Sequence, residues 1–254
     1  MKHLSLFILT VFTTVTVAAK CAGSGIYLLS KNSTLNKNGL IILEFYAGSR
    51  SIIQDLNKKY PIYLQSSNGK ITLMPVEILK GEMQVTQVIL KASAELAENA
   101  VYILHIDNLS KYERLQHYNE RSQRWEPITF KISSSADTEA PVLKGQPAEQ
   151  KKTMVGYGCG PARWVYFTLA GQDKSELFVK ASVRNKTTGL TTNYILLLEN
   201  GIAKVGHGMC SGAFHFDDGN NFEITFQLFD QSGNKSSLTK SISFTSPNAS
   251  TNDE

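Results

Sequence analysis

Two cysteines, each set among glycines, are the residues with the clearest chemical potential. Cys159 lies in the run GYGCGP at 156–161, and Cys210 lies in the run GHGMCSG at 206–212. Glycine permits positive φ and close backbone approach, which two crosslinked loops would need. Pairing is the default for cysteines of an exported chain. We therefore predict a Cys159–Cys210 disulfide, which would close a loop of roughly 50 residues and contribute about 4 kcal/mol.

The same loops offer a competing metal or thiol site. Cys159, His207, Cys210 and His215 supply two thiols and two imidazoles, which suit zinc, and His207-x-x-Cys210 has ligand-like spacing. A thiolate paired with His207 would be the corresponding catalytic arrangement. Because an oxidising compartment favours the disulfide, we predict no metal and no cofactor at these residues.

Other catalytic patterns are missing from the sequence. It contains neither a Gly-x-Ser-x-Gly elbow nor an HExxH pair, so we predict that the protein is not an enzyme. Asp217 and Asp218, together with Asp230 and Asn234, could gather oxygen ligands for calcium. Asp-Gly and Asn-Asn are turn residues, however, and favour a hairpin loop at 217–221.

Aromatic and polar loop residues are the candidates for contact with a partner. Residues 112–121 form a polar insertion between predicted strands, and binding residues concentrate on loops. Together with Trp125, the aromatic residues could also build a carbohydrate platform. We expect Trp164 to pack in the core beside the bridge. The candidate partner-binding residues are Tyr112, His117, Tyr118, Tyr157, Trp164 and His207.

The first 19 residues have the features of a secretory signal peptide. A short positive start precedes an uncharged apolar stretch, and small residues end it at Ala19. The stretch is shorter than the ~20 residues that span a bilayer, so we predict no membrane span. Cleavage leaves Lys20-Cys21 at the terminus, where Lys20 argues against lipidation. Cys21 then remains as a thiol or links two chains into a dimer.

The rest of the chain is predicted to be all-β. Phe222, Ile224, Phe226 and Leu228 alternate with more polar residues, as in a strand with one buried face. Asn68-Gly69 separates two such runs and indicates a hairpin. Two stretches, 49–58 and 109–118, could be helical. The formal net charge of +4 over 254 residues is too weak to indicate a nucleic-acid partner.

A small, polar run at 133–141, ending in Pro141, indicates a linker between two strand-rich halves. We predict a signal peptide at 1–19, an N-terminal β-sandwich at 20–135, a C-terminal β-sandwich at 136–246 and a disordered tail at 247–254. The second half contains about seven short predicted strands, which is the number expected for an immunoglobulin-like sandwich.

Two motifs resemble those of bacterial secreted immunoglobulin-like domains. The run DTEAP at 137–141 looks like their opening Asp-Thr-x-Ala-Pro, and DQSGNKS at 230–236 resembles the turn before their last strand. The first half resembles another such module through LAENAVY at 96–102. The resemblance implies tandem immunoglobulin-like sandwiches in a secreted or periplasmic, non-catalytic protein of the cell envelope. A binding or assembly module for an envelope protein or glycan is therefore expected, with a carbohydrate-binding accessory protein as the alternative.

Overall fold

The chain folds as an all-β protein in a computed structural model that describes residues 23–113, 115–119, 122–217 and 219–248. The predicted signal peptide, Cys21 and most of the predicted tail lie outside the described residues. Within the described ranges, no helix is both long and apolar enough to cross a membrane. One short 3-10 helix, Ala47–Asp55, interrupts the strands and overlaps the first of the two stretches predicted to be helical, 49–58.

The N-terminal unit is a sheet that folds over on itself around one core. Its strands are β1 Gly25–Leu28, β2 Thr34–Leu35, β3 Leu40–Tyr46, β4 Ile62–Ser66, β5 Gly69–Lys80, β6 Val85–Ala92, β7 Val101–Ile106 and β10 Thr129–Ile132. Their order is β1-β3-β6-β5-β4-β7-β10-β2. β5 crosses between the two layers, because residues 69–72 pair with β4 and residues 73–80 pair with β6. Separately, β8 Gln116–Asn119 and β9 Arg124–Pro127 form a hairpin inserted between β7 and β10.

The C-terminal unit repeats this arrangement with seven described strands. They are β11 Val142–Tyr157, β12 Gly160–Gln172, β13 Leu177–Asn185, β14 Thr191–Glu199, β15 Ile202–His207, β16 Asn221–Asp230 and β17 Ile242–Thr245. Their order is β11-β12-β15-β14-β13-β16-β17. If β2 and the β8–β9 hairpin are left out, each unit has seven described strands. In both sheets the order of neighbouring strands, counted along the chain, is first, second, fifth, fourth, third, sixth, seventh. The connection at 133–141 contains no strand.

Sequence patterns predicted several of these strands and missed others. The side chains at 222, 224, 226 and 228 are buried, as the alternation predicted, and Gly69 begins β5 with φ 126°. β11 was not predicted, because it is a polar edge strand with Pro147 inside the first of its two register shifts. The described residues of 109–118 form turns and the start of β8 instead of a helix, and 213–216 lie outside any strand.

The two units share a buried contact layer. In β3 and β6, alternate side chains point to opposite sides, as in any strand. Leu43 and Val88 pack into the N-terminal core, whereas Ile42 and Ile89 pack into the core of the C-terminal unit. β3 and β6 are therefore covered on both faces, which explains why six consecutive residues of β6 are buried.

A polar network lies inside this contact layer. The Gln87 carboxamide donates to the Ile195 carbonyl at 2.9 Å and accepts from the Ile195 N–H at 3.0 Å. The Glu44 carboxylate accepts from the Tyr194 hydroxyl at 2.8 Å and more weakly from Gln87 at 3.4 Å. Burial raises the pKa of Glu44 above its ordinary value of 4.5, although both hydrogen bonds oppose this.

The raised pKa of Glu44 predicts a pH-dependent stability difference. The protonated Glu44 carboxyl contributes stability that is fully present below pH 4.5. This stability is lost as pH rises through the higher pKa of the folded state. Glu44→Gln has no such titration and still accepts from Tyr194. We expect the variant to gain stability relative to the wild type between pH 4.5 and 8, measured by urea unfolding at several pH values. A difference that is flat or falls with pH would contradict this.

Candidate functional site

The cysteines do not form the predicted bridge. Cys210 takes part in a disulfide, whereas Cys159 keeps its thiol. The physical reason lies in where the loops point. Cys159 sits in the turn between β11 and β12, where a Cβ added at Gly158 or Gly160 would meet nothing. The loop of Cys210 turns the other way, toward the N-terminal unit, and lines a cavity with Tyr46 and Ala47.

Two of the predicted partner-binding residues lie on β12 and β15, where His207 is buried and Trp164 is half-buried on the outer face. His207 is only 2% exposed, and burial lowers the pKa of its imidazole, so it is part of the interior. Trp164 does not pack in the core; it lies half-buried on the outer face of β12, with the Lys204 ammonium 4.1 Å from its ring centroid. That ammonium makes a cation–π contact with the ring.

The remaining predicted residues are divided between the two units. Tyr112 is exposed in the turn before β8, Tyr157 is exposed at the end of β11, and His117 lies on β8. Tyr118 also lies on β8, but its side chain is outside the described part of the structure. Of the six predicted residues, the structure thus places His117 beside a large cavity.

That cavity is a groove of about 790 Å³ between β1 and the β8–β9 hairpin. Its walls come from the end of β1 and the segment after it, from β8, and from the stretch of β9 leading into β10. Tyr27 and Trp125 line it with rings that are 56% and 50% exposed. Sequence analysis missed Tyr27, because a single tyrosine in a short strand carries no signal of its own.

β1 forms one edge of the described sheet. Leu29 donates its N–H to the Ile42 carbonyl, so the residues that bond to β3 are 25, 27 and 29. The backbone N–H and C=O groups of Ile26 and Leu28 consequently point away from β3, and Leu28 lines the groove. Exposed edge groups of this kind are ready to pair with another strand.

Ion pairs and hydrogen bonds hold the walls of the groove. The Lys31 ammonium lies 2.5 Å from the Glu199 carboxylate, and the Lys31 N–H donates to Glu176 at 2.9 Å. These contacts tie the segment after β1 to the C-terminal unit. On the opposite wall, the His117 imidazole lies 3.9 Å from the Glu126 carboxylate. The groove is therefore lined by aromatic rings and by residues that carry charges of both signs.

A carboxylate cluster at the linker replaces the calcium set considered from the sequence. Oxygen atoms of Asp137, Asp173 and Asp230 lie within 4.8 Å of one another, an oxygen ligand set of the type that Ca²⁺ prefers. Burial raises the pKa of Asp230, and the charge of Asp137 adds to the effect. Asp217 instead contacts His215, and Asp218 lies outside the described residues. Asp137 and Asp230 are the first residues of the motifs DTEAP and DQSGN, so these motifs could have indicated them in the sequence.

Comparisons with known proteins identify no family. No family model and no curated protein matches the chain. Two pullulanases are among the solved structures with some similarity, one from Anoxybacillus sp. LM18-11 complexed with maltotriose and one of type I from Bacillus subtilis str. 168 complexed with maltose. Both are 10% identical, with TM-scores of 0.25 and 0.24, and cover 78% and 89% of this chain.

A third solved structure with some similarity is a cytokine receptor complex, which is 9% identical and has a TM-score of 0.26. The match covers 89% of this chain and 98% of the receptor chain. This chain spans only 24% and 25% of the two pullulanase chains. Similarities this low carry no argument about function.

Proposed function

We propose that this chain is an exported, non-catalytic protein of two tandem immunoglobulin-like sandwiches that binds an extended polypeptide segment of an envelope partner. The groove beside β1 carries the proposal, because it combines the edge strand of the described sheet with two exposed aromatic rings. An extended peptide can add a strand to such an edge, gaining affinity from main-chain hydrogen bonds and specificity from side-chain pockets.

The strand order supports the immunoglobulin-like part of the proposal. Labelled A to G along the chain, each unit follows the order A-B-E-D-C-F-G. Constant-type immunoglobulin domains place A, B, E and D in one sheet and C, F and G in the other. The short parallel pairing of β2 with β10 adds an eighth strand to the N-terminal unit.

Export is supported by the sequence of residues 1–19. N-terminal sequencing of the protein recovered from the envelope or the medium tests it, with Lys20 expected as the first residue. A protein that keeps Met1 and stays in the cytoplasm would contradict the proposal that the chain is exported.

The lining of the groove favours a peptide as its occupant. Ile26 and Leu28 present backbone donors and acceptors in the two-residue period of a strand. Tyr27 and Trp125 offer apolar faces to every second side chain of an added strand. A glycan would stack on the rings and could bond to single backbone groups, but its hydroxyls do not repeat with the two-residue period of a strand edge.

A peptide library displayed on phage tests the peptide-binding function. We expect selection on the wild-type protein to enrich segments with alternating apolar residues. The Tyr27→Ala/Trp125→Ala variant should bind those peptides at least about 10-fold more weakly. Leu190→Ala, which removes an apolar side chain that is 58% exposed on the C-terminal unit, is the matched control and should bind them normally.

N-methylation of single peptide amides provides a second readout. If the peptide adds a strand, methylation should abolish binding at alternate positions only, because every second N–H faces β1. Enrichment that the double variant leaves unchanged would reject the groove. Binding to a glycan array but to no peptide would reject the peptide and favour the carbohydrate-binding alternative.

A further inference from the structure

The turn between β5 and β6 is fastened to the C-terminal unit by a short backbone ladder. Met83 and Gly212 exchange hydrogen bonds in both directions, at 3.0 and 2.9 Å, and Glu82 donates its N–H to the Ala213 carbonyl at 3.0 Å. The Glu82 carboxylate in turn accepts from the backbone N–H of His215 at 3.0 Å. These contacts place the side chain of Met83 beside that of His215, although the two residues are far apart in sequence.

The His215 ring is oriented from both sides. Its Nε2 atom lies 2.9 Å from an Asp217 carboxylate oxygen, and its Nδ1 atom lies 3.2 Å from the Met83 sulfur. A carboxylate can only accept, so the one N–H of a neutral imidazole belongs at Nε2. Nδ1 then directs a lone pair at a thioether sulfur, which also has only lone pairs to offer. Two such atoms are joined either by a proton on Nδ1, as in the imidazolium form, or by a metal cation.

We propose that Met83 Sδ and His215 Nδ1 bind a soft monovalent cation, and that the biological cation is Cu(I). Thioether and imidazole ligands suit Cu(I), and hard cations such as Ca²⁺ and Mg²⁺ prefer oxygen. Asp217 acts as the carboxylate that orients a metal-binding histidine. The site is independent of the peptide groove and of the carboxylate cluster.

The surroundings fit a soft cation held between the units. Met209 lines the same cavity of about 520 Å³ as Met83, so a second thioether is close at hand. Cys210 lines it too but is held in a disulfide, which leaves no thiolate there to compete. The ring of buried His207 lies 5.0 Å from that of His215, and its Nε2 atom has no hydrogen-bond partner among the described residues.

Silver(I) is a redox-inert probe for this site. The titration uses Cys159→Ser as the background, so that the thiol does not take up silver, and follows the ¹³C-labelled methionine methyl groups by NMR. We expect one equivalent of Ag(I) to shift the Met83 methyl signal and the His215 ring signals together. Because the ligands come from both units, Ag(I) should also raise the unfolding temperature.

Variants separate this site from general silver binding. Met83→Leu and His215→Gln should each weaken Ag(I) affinity at least about 100-fold, and Asp217→Asn about 10–100-fold through the lost orientation of His215. Met74→Leu, which changes an exposed methionine on β5, should leave the affinity unchanged. The proposal is overturned if Met83→Leu and Met74→Leu bind alike, if another methionine methyl shifts first, or if no signal shifts at one equivalent.

Discussion

Phe167→Ala should lower the free energy of unfolding by about 3–5 kcal/mol. The Phe167 ring is fully buried and makes edge contacts with Phe226 and Phe244, at centroid distances of 5.3 and 5.5 Å. Removing it leaves a cavity among aromatic rings that cannot collapse to fill it. Phe167→Leu keeps most of the volume and should cost less than about 2 kcal/mol.

The effect of this substitution should reach the N-terminal unit. Ile42, Leu79 and Ile89 belong to the same core cluster as Phe167, so the units share buried surface. The two tryptophans report on the units separately, Trp125 on the N-terminal and Trp164 on the C-terminal one. In Trp164→Phe and Trp125→Phe backgrounds, both signals should show the same shift in urea midpoint. A shift seen by Trp164 alone would mean that the units unfold independently.

Gln87→Leu should destabilise the protein by about 2–4 kcal/mol, although it replaces a polar group by an apolar one of similar size. Gln87 is fully buried and satisfies both the N–H and the C=O of Ile195. Leucine leaves these two buried backbone groups without partners, and each lost bond costs about 1–3 kcal/mol.

Equilibrium urea unfolding measures this loss, with Gln150→Leu on the exposed β11 strand as the matched control. The control should change stability by less than about 0.5 kcal/mol. A loss below 1 kcal/mol for Gln87→Leu would mean that Ile195 finds other partners and that Gln87 does not join the units.

The sequence by itself determined the elements whose signal is local. The alternation at 222–228 is a property of one strand, and Asn68-Gly69 makes its turn without help from distant residues. The all-β class follows from such patterns repeated along the chain. The prediction failed at β11, because an edge strand meets solvent along much of its length and needs no apolar alternation.

Only the tertiary structure decided which residues share a site. The sequence shows Gln87 only as a polar position in a strand, but β6 is covered on both faces and Gln87 is buried. The sequence suggests His207 as a ligand in a loop, but its ring is buried. Cys159 and Cys210 have similar glycine-rich neighbourhoods, yet one lies in a hairpin turn and the other faces the N-terminal unit. Met83 contacts His215, and Tyr27 and Trp125 line one groove, because the packing of separate elements joins positions that no spacing along the chain relates.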